Sequence, residues 1–209
     1  MKYLITAGPT REKIDPVRFL TNYSSGKMGY ALAEAAKSFS GEVKLISGPT
    51  NLTVPDGVES IQVESAAEMY SAVMDNYTNY DVIIMVAAVA DYRPKEINNH
   101  KLKKKPGDLV IYMERTKDIL LELSEKVTDR QILVGFAAET DNVIEYAKGK
   151  LIKKKLDWII ANKVGGVNPG FMTDDNSVTM LSKNGDEIEF GLMSKKELAE
   201  NILKIIAEY

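Results

Sequence analysis

The sequence predicts an α/β protein built on a doubly wound, mostly parallel sheet with a late antiparallel hairpin. Segments with strand-like and helix-like patterns alternate along most of the 209 residues, as in parallel sheets covered by helices. Residues 82–86 form a continuous apolar run without polar alternation, which is typical of a strand buried on both faces. Late in the chain, Asn184 and Gly185 separate two strand-like segments, a hairpin signal. Together these patterns predict a Rossmann-like fold.

The predicted strands are short apolar or β-branched runs bounded by turn residues. In chain order they are residues 2–6, 42–46, 58–63, 82–86, 109–113, 131–136, 158–161, 178–181 and 187–190. The strands at 82–86 and 131–136 are each followed by two alanines, and small residues at a strand end allow a ligand to approach the backbone closely. The last two strands flank the Asn184–Gly185 signal and are expected to form an antiparallel edge.

Five helices are predicted from apolar residues at helical spacing. Their apolar positions begin at Met28, Met69, Ile119, Val143 and Leu198. For the first helix, Ser24 or Ser25 is available as the N-cap. Two later helices are preceded by capping boxes, formed by Ser65 with Glu68 and by Ser194 with Glu197. The patterns contain no internal repeat and no linker, so residues 1–209 are expected to form a single domain.

Composition excludes several classes of chemistry. The chain has 27 basic and 30 acidic residues and a net charge of −3, which argues against broad nucleic-acid binding. It has no cysteine, which excludes disulfides, thiolate catalysis and cysteine-based zinc sites, and its one histidine, His100, lies in a polar loop segment. No apolar run approaches the roughly 18 residues of a membrane span. Because no signal segment precedes the first strand, we expect a cytoplasmic protein that binds no membrane.

The loop after the first strand is too long for a simple turn. It places Arg11, Asp15, Arg18 and Asn22 outside regular structure, just before a helix N-terminus whose free amides suit a phosphate. A dinucleotide fingerprint needs three glycines at G-x-G-x-x-G spacing, and only Gly8 is in place. A phosphate-binding P-loop also fails, because Thr21 and Met28 occupy positions that require glycine and serine or threonine.

Two further loops follow the strands that end in alanines. The first contains Asp91, which either caps the turn before Arg93 or contacts a ligand, and then a lysine run, Lys101 and residues 103–105. Such a run is usually a solvated loop, but beside a strand's carboxyl end it can close over an anionic ligand. The second loop leads to Lys150 and Lys154, which share one helical face and also complement the helix dipole.

These loops together offer many cations and amides and few groups that exchange protons near neutral pH. A site of this kind stabilises charge, and phosphate-bearing substrates with a leaving pyrophosphate suit it.

The loop motifs resemble those of the phosphopantothenoylcysteine synthetase family, in the same order and spacing over about residues 2 to 200. The matching segments are GPTREKIDPVRFLTNYSSGKMG at 8–29, AAVADYRP at 87–94, KLKK at 101–104, GFAAET at 135–140 and KKKLDWIIAN at 153–162. The resemblance implies a ligase of coenzyme A biosynthesis that joins 4'-phosphopantothenate to L-cysteine. Bacterial members form an acyl-cytidylate from CTP with Mg²⁺ and release pyrophosphate, after which the cysteine amine displaces CMP.

The resemblance also implies roles for individual residues. Asn22 contacts the acyl intermediate and Lys101 assists formation of the cytidylate, so these two are the catalytic candidates. The implied nucleotide contacts are Asp91, Lys101, Phe136, Lys150 and Lys154. The implied contacts of the phosphopantothenate side are Asp15, Arg18, Asn22 and Ala88. No side chain is assigned to the metal, and no flavin is expected. The turn at residues 114–117 reads ERTK and lacks the Asn-Pro of some members, so its contact with the nucleotide stays open.

Some expectations concern partners and alternatives. The resemblance implies a homodimer, and the chain resembles the stand-alone form of the enzyme, with phosphopantothenoylcysteine decarboxylase as a separate protein. The residues themselves do not distinguish CTP from ATP. They also leave open an NAD(P)-binding oxidoreductase, which the missing glycines disfavour, and a non-catalytic nucleotide-sensing module in which the lysines serve only binding.

Overall fold

The computed structural model describes residues 1–104, 106–163 and 173–209, which contain twelve strands and five α-helices. The elements are β1 (Lys2–Ala7), β2 (Glu12–Lys13), β3 (Phe19–Leu20), α1 (Lys27–Ser38), β4 (Glu42–Ser47), β5 (Glu59–Gln62), α2 (Ala66–Asn76), β6 (Val82–Met85), β7 (Tyr92–Pro94), β8 (Met113–Arg115), α3 (Ile119–Ser124), β9 (Ile132–Glu139), α4 (Val143–Lys153), β10 (Trp158–Lys163), β11 (Asp175–Ser182), β12 (Glu187–Ser194) and α5 (Lys195–Glu208). A 3₁₀ turn, Tyr77–Asn79, follows α2.

The main sheet has eight strands in the order β12-β11-β10-β9-β6-β1-β4-β5. The six strands from β10 to β5 run parallel, and β11 and β12 add an antiparallel edge. The predicted doubly wound sheet with its late hairpin is therefore confirmed. Gly185 has a φ of 98°, a conformation that glycine adopts without strain, at the tip of that hairpin.

Helices cover both faces of the sheet. One face packs against α1 and α5, which bury Leu32 and Ile202, and the other packs against α2, α3 and α4, which bury Met69 and Leu123 among others. The connection from β1 passes through α1, whereas the connection from β6 passes through α3 on the opposite face. The crossovers therefore diverge between β1 and β6, where open α/β sheets bind their ligands.

The capping residues show where the sequence patterns hold. Ser65 and Ser194 cap α2 and α5 by accepting hydrogen bonds from the backbone N–H groups three residues on, each at 3.2 Å. The prediction of a serine cap for α1 is wrong. The N-cap is Gly26, whose φ of 79° is left-handed, and no side chain caps this helix. A β-carbon on Gly26 would lie 2.8 Å from Thr50 Cγ2, so close packing also requires glycine there.

The predicted strand at residues 109–113 is also wrong in position. The strand here is β8, Met113–Arg115, which pairs with β7 outside the main sheet. Leu109, Val110 and Tyr112 are 60%, 67% and 77% exposed, so the apolar run lies on the surface and does not enter the core. It belongs to a long loop whose described residues are 95–104 and 106–112, here called the 95–112 loop. Over the part of the chain that the structure describes, no helix is both long enough and apolar enough to span a membrane.

Candidate functional site

A cleft of about 290 Å³ lies at the carboxyl edge of the parallel strands, at the divergence between β1 and β6. Five of the residues singled out from the sequence line it: Ala88, Asp91, Phe136, Lys150 and Lys154. They come from three different segments, because the carboxyl ends of β6 and β9 and the end of α4 meet at this edge. The sheet thus brings together residues that are up to 66 positions apart in the sequence.

Two buried threonines, here called the threonine floor, hold the segment after β6 that lines the cleft. Thr6 Oγ1 accepts hydrogen bonds from the N–H groups of Val86 and Ala87, each at 3.1 Å. Thr10 Oγ1 accepts one from the N–H of Ala90 at 3.0 Å. Both threonines are fully buried. Their hydroxyls therefore satisfy backbone amides where β6 has ended and the ladder with β1 no longer does so.

The first turn of α1 borders the cleft at Gly26, Lys27, Met28 and Gly29. The absence of a side-chain cap at Gly26 leaves the helix's amino end suited to an anion, since amides of the first turn have no partner within the helix. Gly29 permits close approach of this turn to β1, because a β-carbon there would lie 2.6 Å from Ala7 Cβ. Lys27 adds a cation at the same place and pairs with Asp174 at 2.7 Å.

Asn22 does not line the cleft but is bonded to its rim. Its Nδ2 donates a hydrogen bond to the carbonyl oxygen of Ala88 at 2.6 Å, and its Oδ1 accepts one from the N–H of Ser24 at 3.0 Å. The same carbonyl of Ala88 accepts from the N–H of Thr10 at 3.2 Å. Asn22 therefore joins the loop after β1 to the end of β6.

Lys150 of α4 and Lys154 at its C-cap are paired with carboxylates at the cleft. Lys150 Nζ lies 2.6 Å from Glu139 Oε1, and Lys154 Nζ lies 2.9 Å from Asp118 Oδ1. Asp118 also accepts a hydrogen bond from the N–H of Leu121 at 3.1 Å and so caps α3. These ion pairs hold both ammonium groups in position, and an incoming anion would compete with the carboxylates for them.

The turn at residues 114–117 also reaches the cleft, where Thr116 and Lys117 form part of its lining. Thr116 Oγ1 donates to the carbonyl of Ala90 at 2.6 Å, and its N–H donates to the carbonyl of Asp91 at 3.0 Å. Lys117 Nζ lies 4.0 Å from the centre of the Tyr70 ring. The turn therefore positions the segment that carries Asp91.

Asp15 and Arg18 lie away from the cleft lining and anchor the 95–112 loop. Asp15 is buried and accepts hydrogen bonds from the N–H groups of Val17, Arg18 and Leu102 at 2.8 to 3.0 Å. Arg18 Nε donates to the Asp15 carboxylate at 3.0 Å, and Arg18 Nη2 donates to the carbonyl of Leu102 at 3.0 Å. The Arg18 guanidinium holds the pKa of Asp15 well below its usual range, and the three amides act in the same direction against the effect of burial.

Lys101 precedes the anchored Leu102 and is exposed, as are Lys103 and Lys104. Lys101 is not among the residues that line the cleft of its own chain. Lys105, the last member of the predicted lysine run, lies outside the described residues. The anchor thus fixes the backbone beside Lys101, while the lysine side chain extends from the surface.

Sequence patterns did not reveal four polar residues of the cleft lining: Lys27, Asn162, Asn176 and Lys195. Lys195 is only 6% exposed. Burial lowers the pKa of Lys195, and neighbouring Lys27 acts in the same direction, whereas Asp174 and Asp175 raise it. The sequence did carry one signal for Lys195. Ser194 was predicted to cap the last helix, so Lys195 begins that helix directly after the hairpin. The hairpin returns the chain to the edge where the parallel strands end.

Across the described ranges, no cluster of three or more His, Cys, Asp or Glu residues is arranged to hold a metal ion. The carboxylates that line the cleft are Asp91 and Asp118, and the second is already paired with Lys154. This donor set suits a cation such as Mg²⁺ only if the ligand supplies most of the oxygens, which is how Mg²⁺ usually binds to nucleotides.

Comparison with known proteins gives consistent matches. The model of the family described as "DNA/pantothenate metabolism flavoprotein C-terminal domain" matches residues 1–209. A curated relative, the coenzyme A biosynthesis bifunctional protein CoaBC of Bacillus subtilis, is 52% identical over 205 residues, covering 98% of this chain and 50% of the relative. The chain therefore spans about half the length of the curated relatives it matches.

Solved structures share the fold. The crystal structure of the C-terminal domain of a CoaBC protein superposes with a TM-score of 0.84 at 53% identity, covering 98% of this chain and 93% of that one. A Cab2 variant in complex with phosphopantothenate-cysteine superposes with a TM-score of 0.79 at 17% identity, covering 99% of this chain and 85% of that one. At this lower identity the second likeness shows the fold alone.

Proposed function

Because the chain belongs to the family of DNA/pantothenate metabolism flavoprotein C-terminal domains, we propose that it is the ligase that joins 4'-phosphopantothenate to L-cysteine. The family match agrees with the resemblance that the loop motifs carry. The observation that supports the proposal most is the cleft between β1 and β6, in which an uncapped helix N-terminus and the lysines Lys150 and Lys154 border one space. Such a cleft suits a nucleotide with several phosphates.

The proposed reaction has two steps. The carboxylate of 4'-phosphopantothenate attacks the α-phosphorus of CTP, and pyrophosphate leaves. The amine of cysteine then attacks the acyl carbon of the resulting acyl-cytidylate, forms the amide bond, releases CMP and loses a proton. Neither step requires a nucleophile from the protein, which agrees with a cleft rich in cations and amides. Catalysis would come from positioning the reactants and stabilising charge on the phosphates.

The residues take separate parts in this scheme. Asp91, Phe136, Lys150 and Lys154 line the cleft and would contact the nucleotide. Before the lysines could bind phosphates or a ribose, they would have to exchange Glu139 and Asp118 for the ligand. Mg²⁺ would be held mainly by phosphate oxygens, with Asp91 the cleft carboxylate free to contribute, and would neutralise their charge.

The phosphopantothenate side of the scheme involves the loop after β1. Asn22 lies at the rim beside Ala88, where the acyl group of an intermediate would meet the end of β6. Asp15 and Arg18 would act by holding the backbone next to Lys101 through Leu102. In this scheme Lys101 assists formation of the cytidylate from a position that the anchor determines.

We also propose that the chain functions as a homodimer. The 95–112 loop exposes Ile97, Leu109, Val110 and Tyr112, and the nearby loop after β1 exposes Phe19 and Tyr23. Exposed apolar side chains grouped in this way are typical of an interaction surface. Lys101 belongs to the same loop, so a second copy bound there would lie close to it.

Four expectations from the sequence stay predictions: a cytoplasmic location, a single domain over residues 1–209, a separate decarboxylase and the lack of a flavin.

The function is tested by following pyrophosphate. With Mg²⁺, CTP and 4'-phosphopantothenate alone, we expect a slow or burst release of pyrophosphate, and adding cysteine should give steady release of CMP. Parallel reactions with ATP test the nucleotide preference. A nucleotide-sensing protein would bind CTP and release no pyrophosphate, and this result with every nucleotide would refute the ligase proposal. Reduction of NAD(P)⁺ would instead indicate an oxidoreductase.

A further inference from the structure

One wall of the cleft consists of three buried polar residues, Asn162, Asn176 and Lys195, here called the polar wall. None of them has a part in the scheme above. They meet because β10 ends at this edge, antiparallel β11 begins there, and β12 brings the chain back to it before α5. The pairing of Asp175 with Ser194 places the starts of β11 and α5 side by side.

The three side chains are deeply buried for polar groups. Asn162, Asn176 and Lys195 are 9%, 6% and 6% exposed. Buried polar groups normally have hydrogen-bond partners, because lost hydration is otherwise not compensated. Lys195 Nζ donates to the carbonyl of Thr173 at 2.5 Å, and Asn176 Oδ1 accepts from the N–H of Ser177 at 3.0 Å.

Asn162 differs from its neighbours. Among the described residues its carboxamide has no hydrogen-bond partner, and neither does Nδ2 of Asn176. Among the side-chain nitrogen and oxygen atoms of the described residues, only Trp158 Nε1 is both fully buried from solvent and without a hydrogen-bond partner. The unpartnered atoms of the two asparagines are therefore reachable from the cleft, which gives them donors for a bound ligand.

Lys27 and Lys195 are the charged side chains of the lining at the polar wall, and Asp174 and Asp175 lie close enough to raise the pKa of Lys195. Lys27 lines the same part of the cleft, and its positive charge lowers the pKa of Lys195. Asp174 forms its ion pair with Lys27, at 2.7 Å. An anion placed between Lys27 and the polar wall would stabilise both ammonium groups and give the asparagine amides an acceptor.

We propose that Asn162, Asn176 and Lys195 bind the terminal phosphates of the nucleotide, the part that leaves as pyrophosphate. The location of the polar wall favours the terminal phosphates as its ligand. The polar wall lies on the sheet face covered by α1 and α5, next to the uncapped start of α1. Lys150 lies in α4, and Lys154 at its C-cap, on the opposite face. The inference rests on the proposed function for the identity of the ligand.

In the first step the bond between the α-phosphorus and its bridging oxygen to the β-phosphorus breaks, and that oxygen keeps the electron pair. The polar wall would stabilise the negative charge that develops on the leaving pyrophosphate. Lys195 would then act in the chemical step as well as in binding. Cytidine monophosphate lacks these phosphates, so it would not reach the polar wall.

The test compares Lys195→Met with the matched control Lys196→Met, and adds Asn162→Ala. Lys196 is the next residue of α5, is exposed and does not line the cleft. Calorimetric titrations with Mg²⁺ and without phosphopantothenate measure the affinities for CTP, inorganic pyrophosphate and CMP. We expect Lys195→Met to weaken CTP and pyrophosphate binding roughly 10- to 100-fold and CMP binding less than 2-fold, because a charge-assisted hydrogen bond is lost.

The other variants should change nucleotide affinity to different degrees. Asn162→Ala should weaken CTP and pyrophosphate binding by a smaller factor, Lys196→Met should match the wild type, and Lys195→Arg should recover part of the loss. Thermal melting verifies that each variant is folded. Unchanged CTP and pyrophosphate affinity in Lys195→Met, or an equal loss for CMP, would overturn the inference.

The outcomes also separate the inference from the function. If Lys195→Met weakens pyrophosphate binding but the wild-type protein releases no pyrophosphate from CTP, the subsite proposal stands and the ligase proposal is refuted. Wild-type protein that releases pyrophosphate normally while Lys195→Met binds CTP equally well would keep the ligase and refute the subsite.

Discussion

Asn22 donates a hydrogen bond from Nδ2 to the carbonyl oxygen of Ala88 at 2.6 Å, and this bond links the loop after β1 to the end of β6. The two residues are 66 positions apart and lie in the segments that follow β1 and β6, the two strands that flank the divergence point of the sheet. Because Asn22 Oδ1 accepts from Ser24, the orientation of the carboxamide is defined, with its amino group toward Ala88.

We expect Asn22→Asp to lower turnover roughly 10- to 100-fold, because a carboxylate oxygen would face the Ala88 carbonyl where an N–H now donates. A negative charge would also lie near the phosphates of the ligand. Steady-state CMP release measures the effect, and Asn79→Asp is the control, since Asn79 is exposed in the turn before β6. Normal turnover in Asn22→Asp would place Asn22 outside the reaction centre.

Lys101→Ala should reduce turnover about 10² to 10³-fold, the usual effect of removing one donor that is positioned toward a developing anion. Lys104→Ala should have little effect, because Lys104 is exposed three positions away in the same loop and is not next to the Leu102 anchor. Both variants should melt like the wild type. Near-normal turnover in Lys101→Ala would mean that the lysine run is only a solvated segment.

The pH dependence of stability should reveal the Asp15 anchor. The folded-state pKa of Asp15 lies below its ordinary value of 3.8, so the native state binds fewer protons than the unfolded state in acid. The stabilisation is complete above the unfolded-state pKa and is lost as the pH falls below it. We expect the melting temperature to fall less steeply between about pH 5 and pH 3 in Asp15→Asn than in wild type.

Asp56→Asn serves as the control for this measurement, because Asp56 is exposed. It should keep the wild-type slope. Hydrogen exchange should also show faster exchange of the Leu102 amide in Asp15→Asn, since that amide donates to the carboxylate. Identical slopes in wild type and Asp15→Asn would contradict the assignment of the low pKa.

Two glycines give opposite predictions. A β-carbon on Gly48 would lie 1.9 Å from the carbonyl oxygen of Pro9, so Gly48→Ala should lower the free energy of unfolding by roughly 1 to 3 kcal/mol. A β-carbon on Gly149 would meet nothing within 4 Å, and the residue lies inside α4, so Gly149→Ala should raise it by about 0.4 to 1 kcal/mol. Urea unfolding of both variants measures the difference, and equal effects would contradict the packing at Gly48.

The proposed dimer predicts that Val110→Asp shifts the protein toward monomer and lowers activity, because a charge would be buried in the contact between copies. Leu192→Asp is the control, since Leu192 is 65% exposed on β12 at the far edge of the main sheet. Sedimentation or light scattering across concentrations reports the oligomeric state. A monomeric wild-type protein would refute the proposal directly.

Much of the main sheet could be predicted from the sequence because its strands are buried on both faces. The run at β6 is apolar throughout, and all four of its residues are buried. The same criterion failed for residues 109–112, whose apolar side chains lie on the surface, since a sequence does not distinguish burial in the core from exposure on a loop. It also missed β2, β3 and β7, which are two or three residues long and carry no recurring pattern.

The cleft was predicted in part for a related reason. Asp91 follows one strand and Phe136 lies near the carboxyl end of another, and both strand ends are evident in the sequence, so their meeting at one edge follows from the fold. Asn176 and Lys195 are brought there by an antiparallel return of the chain, which depends on the register of β11 and β12. The pairing of Lys154 with Asp118 likewise joins residues 36 apart, and no local pattern encodes it.

The threonine floor has a consequence for how the cleft accommodates ligands. Three amides are held by two hydroxyls, so the segment after β6 is fixed against β1 and the loop after it before any ligand binds. Adjustment to a substrate must therefore come from the walls, where ion pairs can exchange partners. Discrimination between nucleotides would then arise from competition for those ion pairs, and replacing Thr6 by valine, of nearly the same shape, would impair every ligand alike.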